Sequence, residues 1–522
     1  MLAKVPASVS ELTFTLNGAT VVADDGASLL DVLRNDLGTL SVKDGCSPQG
    51  QCGCCTVWVD GQPRVACVTP AARVRGRSVT TLEGLASADR WAERFVRHGA
   101  SQCGFCTPGI IMRLAAIPEA ERTPAKVRNA LLAHLCRCTG WQTIVEAATG
   151  EPGADGHPDR DLDAAARRAC LEGRWPQAVG TAVACGSCGF ACDTAPPEAR
   201  HARRSSNGQW HVADTTQHAR AAAGAVQGRR TTAPVTWPIE LPADDFARTL
   251  QTTWVEPAYL ELDTSWAAPG GAPATALANA GAFGGKCDAL VEIEAARLAG
   301  ANATIDPSGT AVVAQFSRED SVRLGPKRPP LAIGLRADGT GVVRVARTPG
   351  IAATIAAVAP ALTVEEVDVV GPTTSASLRA AGWAEVTAFL AEPDAEGWCH
   401  VTAPNGAEAA ARITIGGGVE VRVRCGAPLD HTVLRSYCIG ATHQALGLVR
   451  SEAIAVSEAG EPLDLTIRSF GIIRPTDMPA VTVTIEPDDG EPVNGSDAVF
   501  AAVAAAAWIS EGRPPRWPTM RS

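Results

Sequence analysis

The sequence has no apolar run long enough to cross a bilayer. The longest run near its end, Ala498 to Ile509, is well short of the ~20 residues that a transmembrane helix needs. Residues 1–13 carry no basic region followed by an apolar core, so we expect no secretory signal and a cytoplasmic protein. The sequence also has no excess of basic residues: it contains 46 Lys and Arg and 56 Asp and Glu, which gives a net charge of −10. Binding to nucleic acid or to an anionic membrane is therefore not expected.

The composition also excludes a largely disordered chain and a small disulfide scaffold. Hydrophobic residues make up 46% of the 522 residues and charged residues 20%, as in ordinary globular proteins. Secreted disulfide scaffolds are usually much shorter. The sequence does contain 17 cysteines, nine of them clustered before residue 140. In a cytosolic protein such clusters indicate metal binding or redox chemistry.

The pattern along the chain predicts an α+β multidomain protein. Two hairpin signals, Asn-Gly and Asp-Gly, and a helix capped by Ser28 predict a small domain of strands and one helix over residues 10–85. Residues 86–150 have a helical pattern, and Gly, Pro and Asp predict a linker over residues 151–175. Residues 176–522 alternate strand-like runs with alanine-rich stretches and predict a mixed α/β region.

Individual elements follow from the same patterns. In the helical part, Thr107-Pro108 and Thr123-Pro124 each predict a helix start, and a further helix is expected near Trp141. A last helix, with one face of small residues, is expected over 498–508. Strands are predicted in the second half over 311–316, 331–345, 413–425, 463–470 and 481–485.

The first cysteine cluster has the pattern of a two-iron site. Four thiolates hold a [2Fe–2S] cluster, and glycines let a tight loop wrap it and aim N–H groups at the sulfurs. Cys54 lies between two candidate ligands and is expected to be a spare. The alternatives are a zinc site or buried free thiols, but zinc ligands more often come as two separated pairs. The candidate ligands are Cys46, Cys52, Cys55 and, after a hairpin, Cys67.

A second cluster consists of two close pairs. Cys103-Gly-Phe-Cys106 precedes a predicted helix N-terminus, where free N–H groups stabilise thiolates, and Cys136-Arg-Cys138 follows the next helix. Two helix ends could hold one metal centre between them, with zinc as a competitor to iron. A third group, Cys185, Cys188 and Cys192, could hold a metal with Cys170, although stray thiols are the simpler interpretation.

Together these motifs resemble the iron–sulfur subunit of the molybdenum hydroxylases, the xanthine dehydrogenase/aldehyde oxidase family. The resemblance covers residues 10–150 and rests on GCSPQGQCGCCTVWVDG, QCGFCTPGI and LCRCTGW. It implies a β-grasp, ferredoxin-like [2Fe–2S] domain followed by a helical-bundle [2Fe–2S] domain. It places Gln102 and Cys138 beside the pterin of a molybdenum cofactor. One departure is that five residues separate the first two ligands where the family usually has four, so the loop must bulge. The implied ligands are Cys46, Cys52, Cys55 and Cys67 for one cluster, and Cys103, Cys106, Cys136 and Cys138 for the other.

The second half resembles a shortened molybdenum-cofactor subunit over residues 235–515. The motifs, in order, are GAFGGK, SREDSVRLGPKRPP, RAAGWAE, RCGAPLD, IGATHQALG and GEP. The resemblance implies that Arg379 faces the substrate and that Glu491 is the general base, a role that suits a carboxylate whose pKa is raised in a dry pocket. A glutamate in a surface turn is the alternative for Glu491. The backbone expected to approach the cofactor is that of Gly281, Phe283, Gly284 and Gly285.

The second half also departs from the family pattern. Cys287 stands where purine-oxidising members carry glutamate, so purine oxidation is not expected. Ala380 replaces the usual glycine after the arginine, and Tyr437 replaces a glutamine that binds the cofactor. Only about 15 residues separate Leu390 from Gly406, where the family usually has a large central portion. Either the chain holds the cofactor with fewer contacts, or a partner chain completes the site.

Two hypotheses of function follow. In the first, the chain is an oxidoreductase that oxidises an aldehyde or N-heterocycle at molybdopterin and passes electrons through both [2Fe–2S] clusters. Since nothing resembles the family's flavin domain, FAD is expected on a flavoprotein partner, with a further molybdopterin-binding subunit as a possible partner. In the second hypothesis, the chain is a non-catalytic electron-transfer subunit whose C-terminal half is a docking scaffold. A structural zinc protein is a third, weaker alternative.

Overall fold

The computed structural model describes residues 11–150, 160–224, 238–275, 277–287, 290–305, 309–456, 462–463 and 466–520. Within these ranges the chain forms one five-stranded sheet, three four-stranded sheets and a two-stranded ribbon, with helices packed between them. No helix in the described ranges is both long and apolar enough to span a membrane.

The N-terminal sheet has the mixed topology of the predicted ferredoxin-like domain. Its strand order is β2-β1-β5-β3-β4, with β1 parallel to β5 and the other pairs antiparallel. A short helix, α1, continues as one π-helical turn and covers the sheet. The elements are β1 (Glu11–Leu16), β2 (Ala19–Asp24), α1 (Leu29–Asp31), the π turn (Val32–Asp36), β3 (Thr56–Val59), β4 (Gln62–Val65) and β5 (Ser78–Thr80), with 3₁₀ turns at Ala66–Val68, Ala71–Val74 and Leu82–Gly84.

Local sequence signals set this domain's turns. Asn17 and Gly18 both have positive φ (49° and 88°), as do Asp60 and Gly61 (48° and 74°). Both hairpins therefore have the two left-handed residues that a type I′ turn requires, and both predicted hairpins are confirmed. The Ser28 hydroxyl accepts a hydrogen bond from the Asp31 N–H at 3.1 Å, which is the predicted helix cap.

The helical unit follows directly. Its predicted helix starts are confirmed, and the Thr123 side chain accepts from the Lys126 N–H at 3.3 Å as the N-cap of α4. The helices are α2 (Ala88–Arg97), α3 (Thr107–Ala115), α4 (Pro124–Ala130) and α5 (Gln142–Thr149), with 3₁₀ turns at Glu119–Glu121 and Leu131–Ala133.

The linker predicted over 151–175 is partly wrong. Residues 151–159 lie outside the described part, but Leu162–Gly173 form a helix, α6, capped by the Asp161 carboxylate. On α6, Arg168 is fully buried and donates to the carbonyl oxygens of Pro428 and Val493 at 2.9 and 2.8 Å. This segment is therefore part of the C-terminal core.

Three four-stranded sheets form the C-terminal half, in the orders β7-β6-β10-β9, β13-β12-β11-β8 and β14-β15-β16-β19. The strands are β6 (Arg200–Arg204), β7 (Trp210–Ala213), β8 (Arg248–Gln251), β9 (Thr264–Ala267), β10 (Val312–Gln315), β11 (Leu331–Leu335), β12 (Gly341–Ala346), β13 (Leu362–Val367), β14 (Cys399–Thr402), β15 (Glu408–Ile413), β16 (Val419–Arg424), β17 (Ala455–Val456), β18 (Pro462–Leu463) and β19 (Val481–Ile485). The predicted strand over 463–470 is wrong, because β18 ends at Leu463 and residues 466–470 form a turn.

Two long helices, α14 and α15, form the centre of this half. The terminal helix is confirmed, but its expected single small-residue face is wrong, since residues 496–508 are buried on every side. One continuous hydrophobic core runs from Leu12 to Trp517 and joins the N-terminal domains to the C-terminal half. The helices are α7 (Thr181–Ala184), α8 (Ala191–Thr194), α9 (Thr216–Ala223), α10 (Val291–Ile305), α11 (Arg318–Leu324), α12 (Ile351–Ala356), α13 (Trp383–Leu390), α14 (His431–Arg450) and α15 (Ser496–Ser510).

Candidate metal centres and cofactor cavity

The first four candidate ligands lie together in the core of the β-grasp domain. All four are at most 6% exposed. The sulfur of Cys46 contacts those of Cys52 and Cys67, and Cys67 contacts Cys55. These sulfur contacts lower the pKa of Cys46 well below its ordinary value and raise the pKa of Cys52 and of Cys67. The gathering of four thiols fits one [2Fe–2S] cluster.

Backbone N–H groups point at these sulfurs, as the glycine-rich loop predicts. The Gln49 N–H donates to Cys46 Sγ at 3.2 Å, and the Cys67 N–H donates to Cys55 Sγ at 3.4 Å. The extra residue between the first two ligands is accommodated by positive φ at Ser47 and Gly50, 62° and 72°. The loop therefore bulges without separating the thiols.

The second constellation forms two pairs of sulfurs between α3 and the chain that follows α4. The Cys138 thiol donates to Cys103 Sγ at 3.5 Å, and Cys106 pairs with Cys136. The Cys106 hydrogen bond lowers the pKa of Cys136 to about 6, and Cys106 itself has a raised pKa. Since each iron of a [2Fe–2S] cluster takes two thiolates, two buried pairs are the donor set that such a cluster needs.

The two constellations are in direct backbone contact. A Cβ placed on Gly109, in the first turn of α3, would lie 2.4 Å from the Gly53 carbonyl oxygen and 2.8 Å from that of Cys54. The helix that follows Cys106 therefore packs on the loop that holds Cys52 and Cys55. Only a residue without a side chain permits this approach. The contact gives electrons a short path between the two sites.

The third cysteine group does not form a comparable site. Cys188 is buried and its thiol donates to the Val183 carbonyl, Cys185 and Cys192 are half-buried, and Cys170 is exposed on α6. The trio is thus better explained as packed thiols, which was the simpler interpretation.

Gln102 lies buried beside the second constellation, at the position where the pterin is expected. Its Nε2 donates to the Cys138 carbonyl at 3.1 Å and to Ser436 Oγ at 2.9 Å. Its Oε1 is buried without a hydrogen-bond partner. An orphaned acceptor in a dry site calls for a donor, and the N–H edge of a pterin is a suitable one. This residue therefore fits the expected cofactor.

The glycine-rich loop borders a cavity next to this site. The cavity has about 400 Å³ of space, its open mouth included. Positive φ at Gly281 and Gly284 lets the loop pass close to Arg137 and to the Ser377 carbonyl, where a Cβ would clash. Phe283 faces the cavity, and the Arg379 guanidinium stacks 3.7 Å from its ring centroid. Gly285 is buried behind the loop, and Cys287 lies exposed after it.

Three arginines line the cavity, and each is paired with a buried carboxylate. Arg379 forms an ion pair with Asp497 at 3.3 Å and donates to Ser496 Oγ at 3.0 Å. Burial lowers the pKa of Arg379. The other two pairs are Arg137 with Glu452 and Arg328 with Glu385. Arg137 and Arg379 both line the cavity, and a guanidinium group is a suitable partner for an anionic group.

The structure does not place Glu491 in this cavity. Its side chain is exposed, in the turn that precedes α15, and its backbone packs against Gly426. The expectation of a carboxylate in a dry pocket is therefore wrong for this arrangement of the chain. No role was predicted for Arg137, Arg328, Glu385 or Glu452. The first three lie inside sequence motifs of the family, and the arginine between the two cysteines of Cys136-Arg-Cys138 was the signal that could have identified Arg137.

The fold and the two cysteine sites define an iron–sulfur electron-transfer protein with an adjoining cofactor cavity. Comparisons with known proteins agree. The family model for a 2Fe-2S iron-sulfur cluster binding domain matches residues 14–75, and the model for a [2Fe-2S] binding domain matches residues 81–149. The chain is 43% identical to the nicotine 6-hydroxylase small subunit of Paenarthrobacter nicotinovorans over 158 residues, 29% of this chain and 95% of that protein.

Longer relatives match over the same N-terminal part. Mouse xanthine dehydrogenase/oxidase is 38% identical to this chain over 157 residues. The matched part is 27% of this chain and 12% of the mouse protein. The solved aldehyde oxidoreductase from Desulfovibrio gigas has a TM-score of 0.69 at 16% identity, covering 98% of this chain and 99% of that one, and so shares the fold.

The chain belongs to the molybdenum hydroxylase family, the xanthine dehydrogenase/aldehyde oxidase family, and is an oxidoreductase of that type. Two [2Fe–2S] clusters are its cofactors.

Proposed function

We propose that the chain carries electrons from a molybdopterin site at Gln102 and Cys138 to a flavoprotein partner, during oxidation of an aldehyde or an N-heterocycle. The single observation that supports this route is the contact of Gly109 with Gly53, because it joins the two cysteine sites through backbone atoms. When bound, the molybdenum cofactor supplies the two-electron oxidation of substrate.

In this proposal each group of residues has one task. The β-grasp domain, residues 10–85, holds the outer cluster, and the helical domain, residues 86–150, holds the inner one. The buried ligand pairs exclude water from the clusters, and the N–H donors at Cys46 and Cys55 stabilise thiolate charge. The C-terminal region, 176–522, supplies the cavity in which Phe283 and Arg379 would bind and orient the substrate or cofactor. The proposed ligands are Cys46, Cys52, Cys55, Cys67, Cys103, Cys106, Cys136 and Cys138.

The partners proposed are a flavoprotein carrying FAD and a further molybdopterin-binding subunit. Several relatives are named as small or iron–sulfur-binding subunits, among them those of nicotine 6-hydroxylase and of Escherichia coli xanthine dehydrogenase. Such names describe one component of a larger assembly. By analogy, this chain would work within one too.

A second candidate function is that of an electron-transfer subunit whose C-terminal half only docks a partner. The exposed position of Glu491 favours it, because a general base would have to lie where substrate binds. In that case a partner chain supplies the base.

Metal content and one variant test both candidates. We expect about four iron atoms per purified chain, as two [2Fe–2S] clusters require. Molybdenum that copurifies with the chain alone would support a self-contained cofactor site, whereas iron without molybdenum would refute it and favour the docking role. Glu491→Gln should leave turnover of the assembled complex unchanged, and near-complete loss of turnover would show that Glu491 is the base after all.

A further inference from the structure

A second cavity lies between the β-grasp domain and the sheet that contains β6. It has about 510 Å³ of space, its mouth included, and is separate from the cavity beside Arg379. One wall comes from α1, the π turn and the loop before Cys46, and the other from β6, α9 and β10. Three guanidinium groups reach it, those of Arg34, Arg203 and Arg220.

Two of these arginines already have carboxylate partners. Arg34 is paired with Asp193, which also receives the buried ammonium of Lys43. Arg220 donates to Asp31 at 3.2 Å and to Asp44 at 2.5 Å. These pairs satisfy the two carboxylates that line the cavity, Asp31 and Asp44, and also Asp193, which does not line it.

Arg203 is different, because it has no carboxylate partner. It is 7% exposed, and within the described part of the chain its one hydrogen bond is from Nη1 to the Ala202 carbonyl at 3.0 Å. Burial and the nearby Arg220 lower the pKa of Arg203 to about 9, so the guanidinium is still charged at neutral pH. His201, beside it, is neutral there, since burial lowers its pKa to about 4. With the neighbouring pair of Lys43 and Asp193 included, the charged groups around the cavity are four cations and three carboxylates.

An uncompensated, buried guanidinium is costly, and bidentate pairing with an oxyanion is the interaction that best relieves this cost. We propose that this cavity binds a small anionic molecule, a carboxylate or a phosphate ester, whose oxyanion pairs with Arg203. The rest of the lining combines the apolar Leu30, Ala195 and Val313 with polar side chains, among them Thr264 and Gln315. A short body that carries both apolar and hydrogen-bonding groups would therefore fit beside the anionic group.

Titration calorimetry on the whole iron-loaded chain tests the site, with inorganic phosphate and acetate as separate probes at constant ionic strength. We expect one saturable site per chain for at least one probe, and binding about tenfold or more weaker in Arg203→Gln. Preference for phosphate would identify a phosphate ester as the natural ligand, and preference for acetate a carboxylate.

Arg200→Gln is the matched control. Arg200 lies on the same strand but pairs with Asp214, whose side chain is 86% exposed, and it does not line the cavity. Its variant should bind like the wild type. Should Arg203→Gln fail to fold, Arg203→Lys keeps the charge but loses the bidentate geometry, and should bind more weakly. Equal affinity in the wild type and the Arg203 variant, or no saturable binding of either probe up to about 10 mM, would overturn the proposal.

Discussion

The contact between the two cluster sites can be tested by adding one methyl group. In Gly109→Ala the new Cβ would lie 2.4 Å from the Gly53 carbonyl oxygen, whereas real Cβ contacts essentially never fall below 3.0 Å. The helix α3 or the loop must therefore shift by about 0.6 Å, and both atoms in conflict belong to well-packed backbone. Overpacking of this kind costs ~1–3 kcal/mol. Because both conflicting atoms are backbone, the upper part of that range applies, about 2–3 kcal/mol. Alanine in a helix regains at most ~1 kcal/mol, so we expect a net loss of about 1–2 kcal/mol.

The assay is urea denaturation followed by loss of iron–sulfur absorption at roughly 400–600 nm. For a chain of this size an m-value of ~5 kcal/mol/M in urea applies, so the expected loss lowers the bleaching midpoint by about 0.2–0.4 M urea. Gly300→Ala is the control, because Gly300 lies in α10 with no atom within 4 Å of the added Cβ. It should leave the bleaching midpoint unchanged or raise it slightly, since alanine favours the helix. A Gly109→Ala midpoint equal to or above that of the wild type would refute the close contact of the two sites.

Two further predictions concern buried charge. Arg137→Met leaves the Glu452 carboxylate buried without its partner, so it should lower the free energy of unfolding by ~3–5 kcal/mol and clearly lower the melting temperature. The control Arg347→Gln breaks an exposed ion pair and should change the melting temperature little. Equal shifts of the melting temperature in the two variants would contradict this prediction. Burial lowers the pKa of His443 to about 4, below its ordinary ~6.5, so the unfolded chain takes up a proton first as the pH falls. The contribution of His443 to stability should therefore be fully present above pH ~6.5, and its loss should lower the free energy of unfolding by about 2 kcal/mol at pH 5. The variant His443→Gln should show a smaller decrease. An unchanged pH dependence in the variant would show that His443 is not the cause.

The features that the sequence predicted well depend on neighbouring residues alone. Asn17-Gly18 and Asp60-Gly61 form their turns because two adjacent residues tolerate positive φ. The caps at Ser28 and Thr123 need only a hydroxyl three residues before an N–H. The cysteine sites were predicted because ligand spacing within short loops, and not distant packing, decides which sulfurs can meet.

The features that were missed depend on partners far apart in the chain. Arg137 and Glu452 are separated by 315 positions, and nothing near either residue indicates the other. The helix α6 was missed although its start is a local signal. Asp161 followed by Leu-Asp-Ala-Ala-Ala is a recognisable helix N-terminus, but the glycine- and proline-rich residues before it favoured a linker instead. The predicted role of Glu491 as general base was wrong for a third reason. A sequence motif specifies the order of residues, but it does not specify whether their side chains face a cavity or solvent.

The short connection after α13 explains how the C-terminal half can close around a reduced site. Where the family usually has a large central portion, residues 391–398 form one turn, in which the Asp394 carboxylate accepts from the N–H groups of Glu396 and Trp398 at 2.9 Å each. Beyond it, β14 joins the sheet whose inner face packs on α15. The alanine-rich α15 is buried all round, and small side chains let α13, α14 and this sheet approach it closely. The C-terminal half thus closes around α15 without that portion, so a cofactor would be held either with fewer contacts or with contacts from a partner chain.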